Sequence, residues 1–133
     1  MLELAKTLIS QSNLKTIVVR EAMALTTSYT VSDSINIQGA NQLQLLVSFT
    51  KGSSDGCRLK IEFSEDKQTW YQESIVSFLS NDAEHRPFVR KINDSANLIM
   101  SIPISASFLR ISGQAVTSGT DTSLSVLATI ANI

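Results

Sequence analysis

The sequence predicts an all-β protein: a single antiparallel β-sandwich, jelly-roll or Greek-key like, of about eight strands, with a short N-terminal arm. Three observations carry that prediction. Leu43, Leu45, Val47 and Phe49 alternate with Gln42, Gln44 and Ser48, while Cys57, Leu59, Ile61 and Phe63 alternate with Arg58, Lys60, Glu62 and Ser64. A period of two with one apolar and one polar face marks a half-buried antiparallel strand. Short runs of this kind recur at a spacing of about ten residues with no long helical pattern among them. Repeats of about 20–50 residues are missing, which excludes a solenoid or propeller.

The elements follow in chain order. Residues 1–13 differ from the rest: Leu4 and Leu8, with Ala5 and Ile9, are spaced as on a short amphipathic helix. A helix this short is marginal in water, so Leu2, Leu4, Leu8 and Ile9 are expected to dock, on their own sandwich or on a neighbouring subunit. Residues 14–133 then form the sandwich. Leu14 to Arg20 is β-branched and reads as the first strand, Ala22 to Val31 as the second, and Ile35 to Ile37 as a short one ended by Gly39. The runs 42–50 and 57–64 are expected to pair through a Lys51–Gly56 turn as part of a meander. Trp70 to Leu79 should be the longest strand. Its apolar residues on both sides (Trp70, Val76 and Phe78 against Tyr71, Ile75 and Leu79) imply cover on both faces or a bulge. Ser80 to Arg86 reads as a polar loop and Pro87 to Ile92 as a weak strand. Leu98, Met100, Ile102 and Ile104 alternate, with Pro103 as an edge signal. Phe108 to Ala115 and Ser123 to Ile130 complete the set, the last burying Leu124, Val126, Ala128 and Ile130.

Composition narrows the function. With 133 residues the chain is one domain, large enough to bury a core without disulfides. Its net charge of −1, with acids and bases mixed, offers no basic stripe for nucleic acid. No segment approaches the roughly 18 apolar residues of a membrane span. Glu3 and Lys6 break any secretory pattern, so a soluble protein made in a cytosol is expected. Cys57 is the only cysteine and is expected to be a buried core thiol.

The residues mostly argue against chemistry. His85 is the only histidine and lies in a solvated stretch with no nucleophile elbow anywhere, so no catalytic residue is expected. One His and one Cys cannot supply a zinc site. Asp82, Glu84 and Asp94 are loop acids without the spacing of a calcium loop, so no metal or other cofactor is expected. Glu62 and Glu73 flank the Trp70 hairpin, but Lys60 and Arg58 beside Glu62 point to cross-strand charge pairing rather than to a glycosidase pair. Ser64 to Trp70 resembles a degenerate Asp-box turn (Ser-x-Asp-Gly-x-Thr-Trp) with Lys67 in the glycine position and the tryptophan packed beneath the turn. Trp70 and Tyr71 are alternatively a stacking platform for a sugar, which would make the chain a carbohydrate-binding or adhesin module.

Taken together, residues 31–39 (Val-Ser-Asp-Ser-Ile-Asn-Ile-Gln-Gly), the run from Leu43 to Lys51-Gly52, Ile61-Glu62-Phe63-Ser64 leading to Trp70-Tyr71-Gln72-Glu73, Ile102-Pro103-Ile104 and Phe108-Leu109-Arg110-Ile111 resemble small β-sandwich virion structural proteins of tailed bacteriophages. The resemblance covers residues 30 to 115. It implies a non-enzymatic virion component: a capsid decoration protein or a neck, tail or fibre-associated module. Such a protein is assembled in the host cytoplasm and works through contacts with copies of itself and with other virion proteins. On this reading the 1–13 segment is the assembly arm.

Overall fold

Burial along β4 (Gln42–Thr50) reads exposed–buried in strict alternation, broken only by a half-buried Leu46, and β5 (Cys57–Ser64) alternates in the same way. Each strand therefore has a face that must be covered, and the two cover one another. β4 and β5 do not pair; they lie in different sheets. The expected Lys51–Gly56 hairpin is instead a crossover from one sheet to the other. Its physical reason is local. Ser53 N donates to Thr120 O (3.1 Å), Thr120 N to Ser53 Oγ (2.7 Å), Asp55 N to Thr117 Oγ1 (2.9 Å) and Thr122 Oγ1 to Lys51 O (2.9 Å). The connector is thus pinned by the 117–122 loop as well as by its own Ser54, whose N–H (3.2 Å) and hydroxyl (2.8 Å) both donate to Lys51 O.

A computed structural model describes residues 14–79 and 81–132; the arm expected over residues 1–13, with Leu2, Leu4, Leu8 and Ile9, lies outside them. The first sheet has the order β1 (Leu14–Ala24), β12 (Ser123–Ala131), β4, β10 (Ala96–Ser101). In the second, β11 (Phe108–Ala115) and β5 are central. Short β2 (Thr30–Val31) and β3 (Ile35–Asn36) share one side of β11, and β6 (Tyr71–Gln72) and β9 (Arg90–Ile92) share the far side of β5. Counting β2 with β3 and β6 with β9 as single positions gives eight, in the orders 1-8-3-6 and 2-7-4-5. That is a jelly roll, with every ladder antiparallel.

The core lies between the sheets. Leu45, Val47, Leu124, Val126 and Ala128 of the first face Leu59, Ile61, Leu109 and Ile111 of the second, and each is at most 2% exposed. Each such large aliphatic side chain contributes roughly 1.5–3 kcal/mol by leaving water. Cys57 belongs to this layer, as expected, and burial pushes its thiol up to about 11. Ile102 is buried, and Met100 and Ile104 are partly so, whereas Leu98 is exposed on the edge strand β10. At the opposite edge β1 runs four residues past the expected Arg20, through two register irregularities, so Ala22 to Ala24 belong to it rather than to a second strand. Arg20 is buried there. It donates to Leu124 O (3.1 Å), Thr30 Oγ1 (3.0 Å) and Ala24 O (3.4 Å), tying the edge of one sheet to β2 of the other.

The stretch expected to be one long strand divides. β6 pairs with β5, and β7 (Ser74–Leu79) leaves the sandwich to pair only with β8 (Asp82–Pro87). The expected polar loop 80–86 is thus largely a strand, and His85 stands on it. Ile75, Val76 and Phe78 are 52%, 39% and 80% exposed, so cover on both faces is not what their pattern signified.

Gly52 in the crossover has φ +57°, and a Cβ there would collide with the Thr120 and Asp121 backbone. Gly52→Ala is expected to lower unfolding stability by at least about 1–3 kcal/mol in urea titrations monitored by circular dichroism. An unchanged midpoint would contradict the crossover's packing against the 117–122 loop.

Candidate functional site

The outward side of the second sheet is a polar network with the Arg110–Glu62 ion pair in it. Strand alternation aims Arg58, Lys60 and Glu62 of β5 away from the core, and register sets Arg110 of β11 directly opposite Glu62. Arg110 makes a fork with Glu62 (Nε to Oε1 3.2 Å, Nη2 to Oε2 3.3 Å), and its guanidinium lies 4.2 Å from the Trp70 ring centroid. Lys60 Nζ sits 3.9 Å from the Tyr29 ring centroid, and Arg58 donates to Gln114 Oε1 at 3.3 Å. Charge pairing across strands was expected for Glu62, but its partner is Arg110 rather than Lys60 or Arg58. Glu73 is matched separately by Arg90, in a second fork of 3.1 and 2.9 Å. Each acid is therefore held by its own arginine.

The Ser64–Trp70 turn has the expected Asp-box chemistry. Asp66 Oδ1 accepts from the backbone N–H groups of Gln68 and Thr69 (each 2.9 Å) and from the Ser64 hydroxyl (3.0 Å). Ser64 Oγ in turn accepts from Lys67 N at 2.8 Å. Lys67 has φ +62°, the left-handed conformation for which the motif normally carries glycine, and its ammonium lies 4.7 Å from the Phe108 ring centroid. Trp70 is half-buried against Arg110 on the outer face instead of beneath the turn. Tyr71 is 67% exposed and opposite Phe63, on the core side of its strand. The two rings thus have different neighbours, Arg110 for Trp70 and the Phe63 register position for Tyr71.

The other sequence candidates disperse. His85 is exposed and opposite Val76. Asp82 and Glu84 stand on β8 of the ribbon, and Asp94 lies in the turn after β9. Among the described residues no group of three or more His, Cys, Asp or Glu side chains is placed to hold a metal ion.

Among the described residues the structure does assemble two surfaces that present apolar side chains to solvent. One is the β7–β8 ribbon. Val76, Phe78 and Ala83 share a side with His85, while Ile75 shares the other with Arg86, which donates to Ser77 Oγ at 2.9 Å. Its base is fixed: Glu73 N donates to Ile61 O (3.1 Å), Phe88 N to Glu73 O (2.7 Å), and the Glu73–Arg90 fork spans the two stems. The other is the outward side of the first sheet, where Val18, Leu127, Leu46 and Ile99 fall in one row, one per strand. Sequence reasoning missed both. The row is invisible because each strand contributes one apolar residue at an otherwise polar position, and only the register aligns them.

No protein-family model matches the sequence, and no curated protein matches it significantly. Among solved structures the chain is similar to the SPBc2 prophage-derived protein YomS, with a TM-score of 0.53 and 14% identity over 89% of this chain and 92% of that one. Weaker likenesses are to dimeric latent PorU from Porphyromonas gingivalis (TM-score 0.40, 9% identity, 90% of this chain and 12% of that one) and to infectious bursal disease virus Gt strain (0.36, 14%, 90% and 32%). The first of these shows a shared fold along nearly the whole of both chains.

The bonds to Asp66 hold its carboxyl below the ordinary 3.8, the Thr69 N–H contributing most, then that of Gln68, then the Ser64 hydroxyl. A depressed folded-state pKa means stabilisation present in full above the unfolded value and lost as pH falls through the folded one. The difference in urea midpoint between the wild type and Asp66→Ala is therefore expected to stay constant from neutral pH to about pH 5 and to shrink in more acidic solution. A gap that does not narrow on acidification would show that the carboxylate does not cap the turn.

Proposed function

We propose that the chain is a non-enzymatic structural component of a bacteriophage virion, a capsid decoration or neck or tail accessory protein, working through contacts with copies of itself and with other virion proteins. The observation that carries this reading is the β7–β8 ribbon. A two-stranded ribbon is marginal on its own in water, and this one presents Ile75, Val76 and Phe78 to solvent from a base clamped by the Glu73–Arg90 fork. Apolar side chains on a rigidly rooted projection suit insertion into another subunit. Three further points support it. The fold is that of a prophage-derived protein over nearly its full length. The only histidine is exposed on the ribbon, and the only cysteine is a core thiol with a raised pKa, so neither is set up as a nucleophile or base. The forks at Glu62 and Glu73 engage the two acids that flank the Trp70 hairpin, each with its own arginine. No cofactor enters this reading, and the place of action is the particle, after assembly in the host cytoplasm.

Phe78 is 80% exposed, so Phe78→Ser should leave the unfolding midpoint within about 0.5 kcal/mol of the wild type. Particles produced by the genome that encodes the chain are expected to contain it in fixed copy number by quantitative mass spectrometry and to lose most of it when it carries Phe78→Ser. Particles that never contain the chain, or that take up the variant at the wild-type level, would overturn the proposal.

A further inference from the structure

The outward faces of the two sheets differ in a way that folding alone does not require. The second sheet carries Arg58, Lys60, Glu62 and Arg110 on its central strands. On β12, β4 and β10 the outward positions are Ser125, Leu127 and Thr129, then Gln44, Leu46 and Ser48, then Asn97, Ile99 and Ser101, with no charge among them. Lys15 and Glu21 belong to the edge strand β1, away from the centre of this face. Across the middle runs the Val18–Leu127–Leu46–Ile99 row, with Val18 54% and Ile99 69% exposed. A polar surround of Ser, Thr, Asn and Gln flanks it on both sides. An apolar centre depleted of charge within an uncharged polar rim is the composition of an interface core.

The geometry points to a second copy of this chain as the occupant, packed face to face on this sheet about a twofold axis. Charge complementarity selects the partner: a surface with no charge has nothing to offer a basic or acidic partner and favours an equally neutral one. The face itself meets that condition and is self-complementary, as a twofold contact demands. Its size is adequate. Four strands at about 4.8 Å and a length of about 30 Å give roughly 600 Å² per copy, or about 1,200 Å² for the pair, the lower bound for a specific interface. Sheets packed in this way let the row of one copy cross that of the other, with Thr, Ser and Gln hydroxyls and amides pairing at the rim. The β7–β8 ribbon takes no part in this contact and stays available to other virion proteins. The inference names the self-contact within the assembly reading without depending on the particle.

The test uses the full chain. Sedimentation equilibrium is expected to show a dimer at micromolar concentration. Leu127→Lys and Leu127→Glu should each raise the dissociation constant at least about 100-fold, with circular dichroism and the unfolding midpoint little changed because the side chain points away from the core and is partly exposed. Mixing the two variants should restore pairing, since opposite charges then meet across the axis. A monomeric wild type, or variants that dimerise as before, would overturn the proposal. Loss of the dimer without rescue on mixing would also overturn it. Virions that lack the chain would refute the assembly reading and leave the dimer standing, so the two failures are distinguishable.

Discussion

The structure depends on one constraint: two apolar strand faces, neither able to remain in water, must meet across a single layer of side chains. Leu45, Val47, Leu124 and Val126 from one side and Leu59, Ile61, Leu109 and Ile111 from the other satisfy it almost without exposure. Strand periodicity makes the consequence strict. Once these residues point inward, every neighbour in sequence points outward, and a slip of one residue would exchange the two sets. The jelly-roll order adds the long-range part, since successive strand positions mostly alternate between sheets and each crossover must find its own hydrogen bonds. The Lys51–Gly56 connector does so by lying against the 117–122 loop, with Gly52 providing the close approach.

Because the core is closed in this way, what the protein presents is determined by its outward sets, and these have opposite characters. On one side Arg110 is forked to Glu62 and stacked on Trp70, and Lys60 covers Tyr29. Each of these cations is anchored on the same surface, by a carboxylate or by a ring, and the face is polar throughout. On the other side the face is neutral with an apolar row across its centre. The ribbon between β6 and β9 adds a third surface, an insertion that contributes nothing to the core while its exposed Phe78 costs solubility. On the proposed reading, the neutral face and the apolar projection are the surfaces that partners would meet.

The alternation in β4, β5, β11 and β12 was legible because burial on one face leaves a period-two trace in each strand separately. So was the Asp66 turn, which is set within six residues of sequence. The ribbon was not. β8 has no buried face, so Asp82 to Pro87 shows no alternation and reads as a loop, and the exposed apolar residues of β7 read as a strand covered twice. The β4–β5 connection was misread for a different reason. A glycine- and serine-rich segment between two amphipathic strands has the same local signature whether it closes a hairpin or changes sheets, and only distant residues decide. Arg110 as the partner of Glu62, and the row of Val18, Leu127, Leu46 and Ile99, depend on register between strands far apart in sequence, which no local pattern encodes.

The central claim is that the surfaces left uncovered, rather than a pocket, are where this protein acts. Hydrogen–deuterium exchange on the free chain and on the chain within its assembly tests it most directly. The account predicts rapid exchange in β7 and β8 of the free protein, strong protection of the same amides after assembly, and core strands β4, β5, β11 and β12 equally slow in both states. Ribbon amides that exchange at the same rate in both states would contradict it.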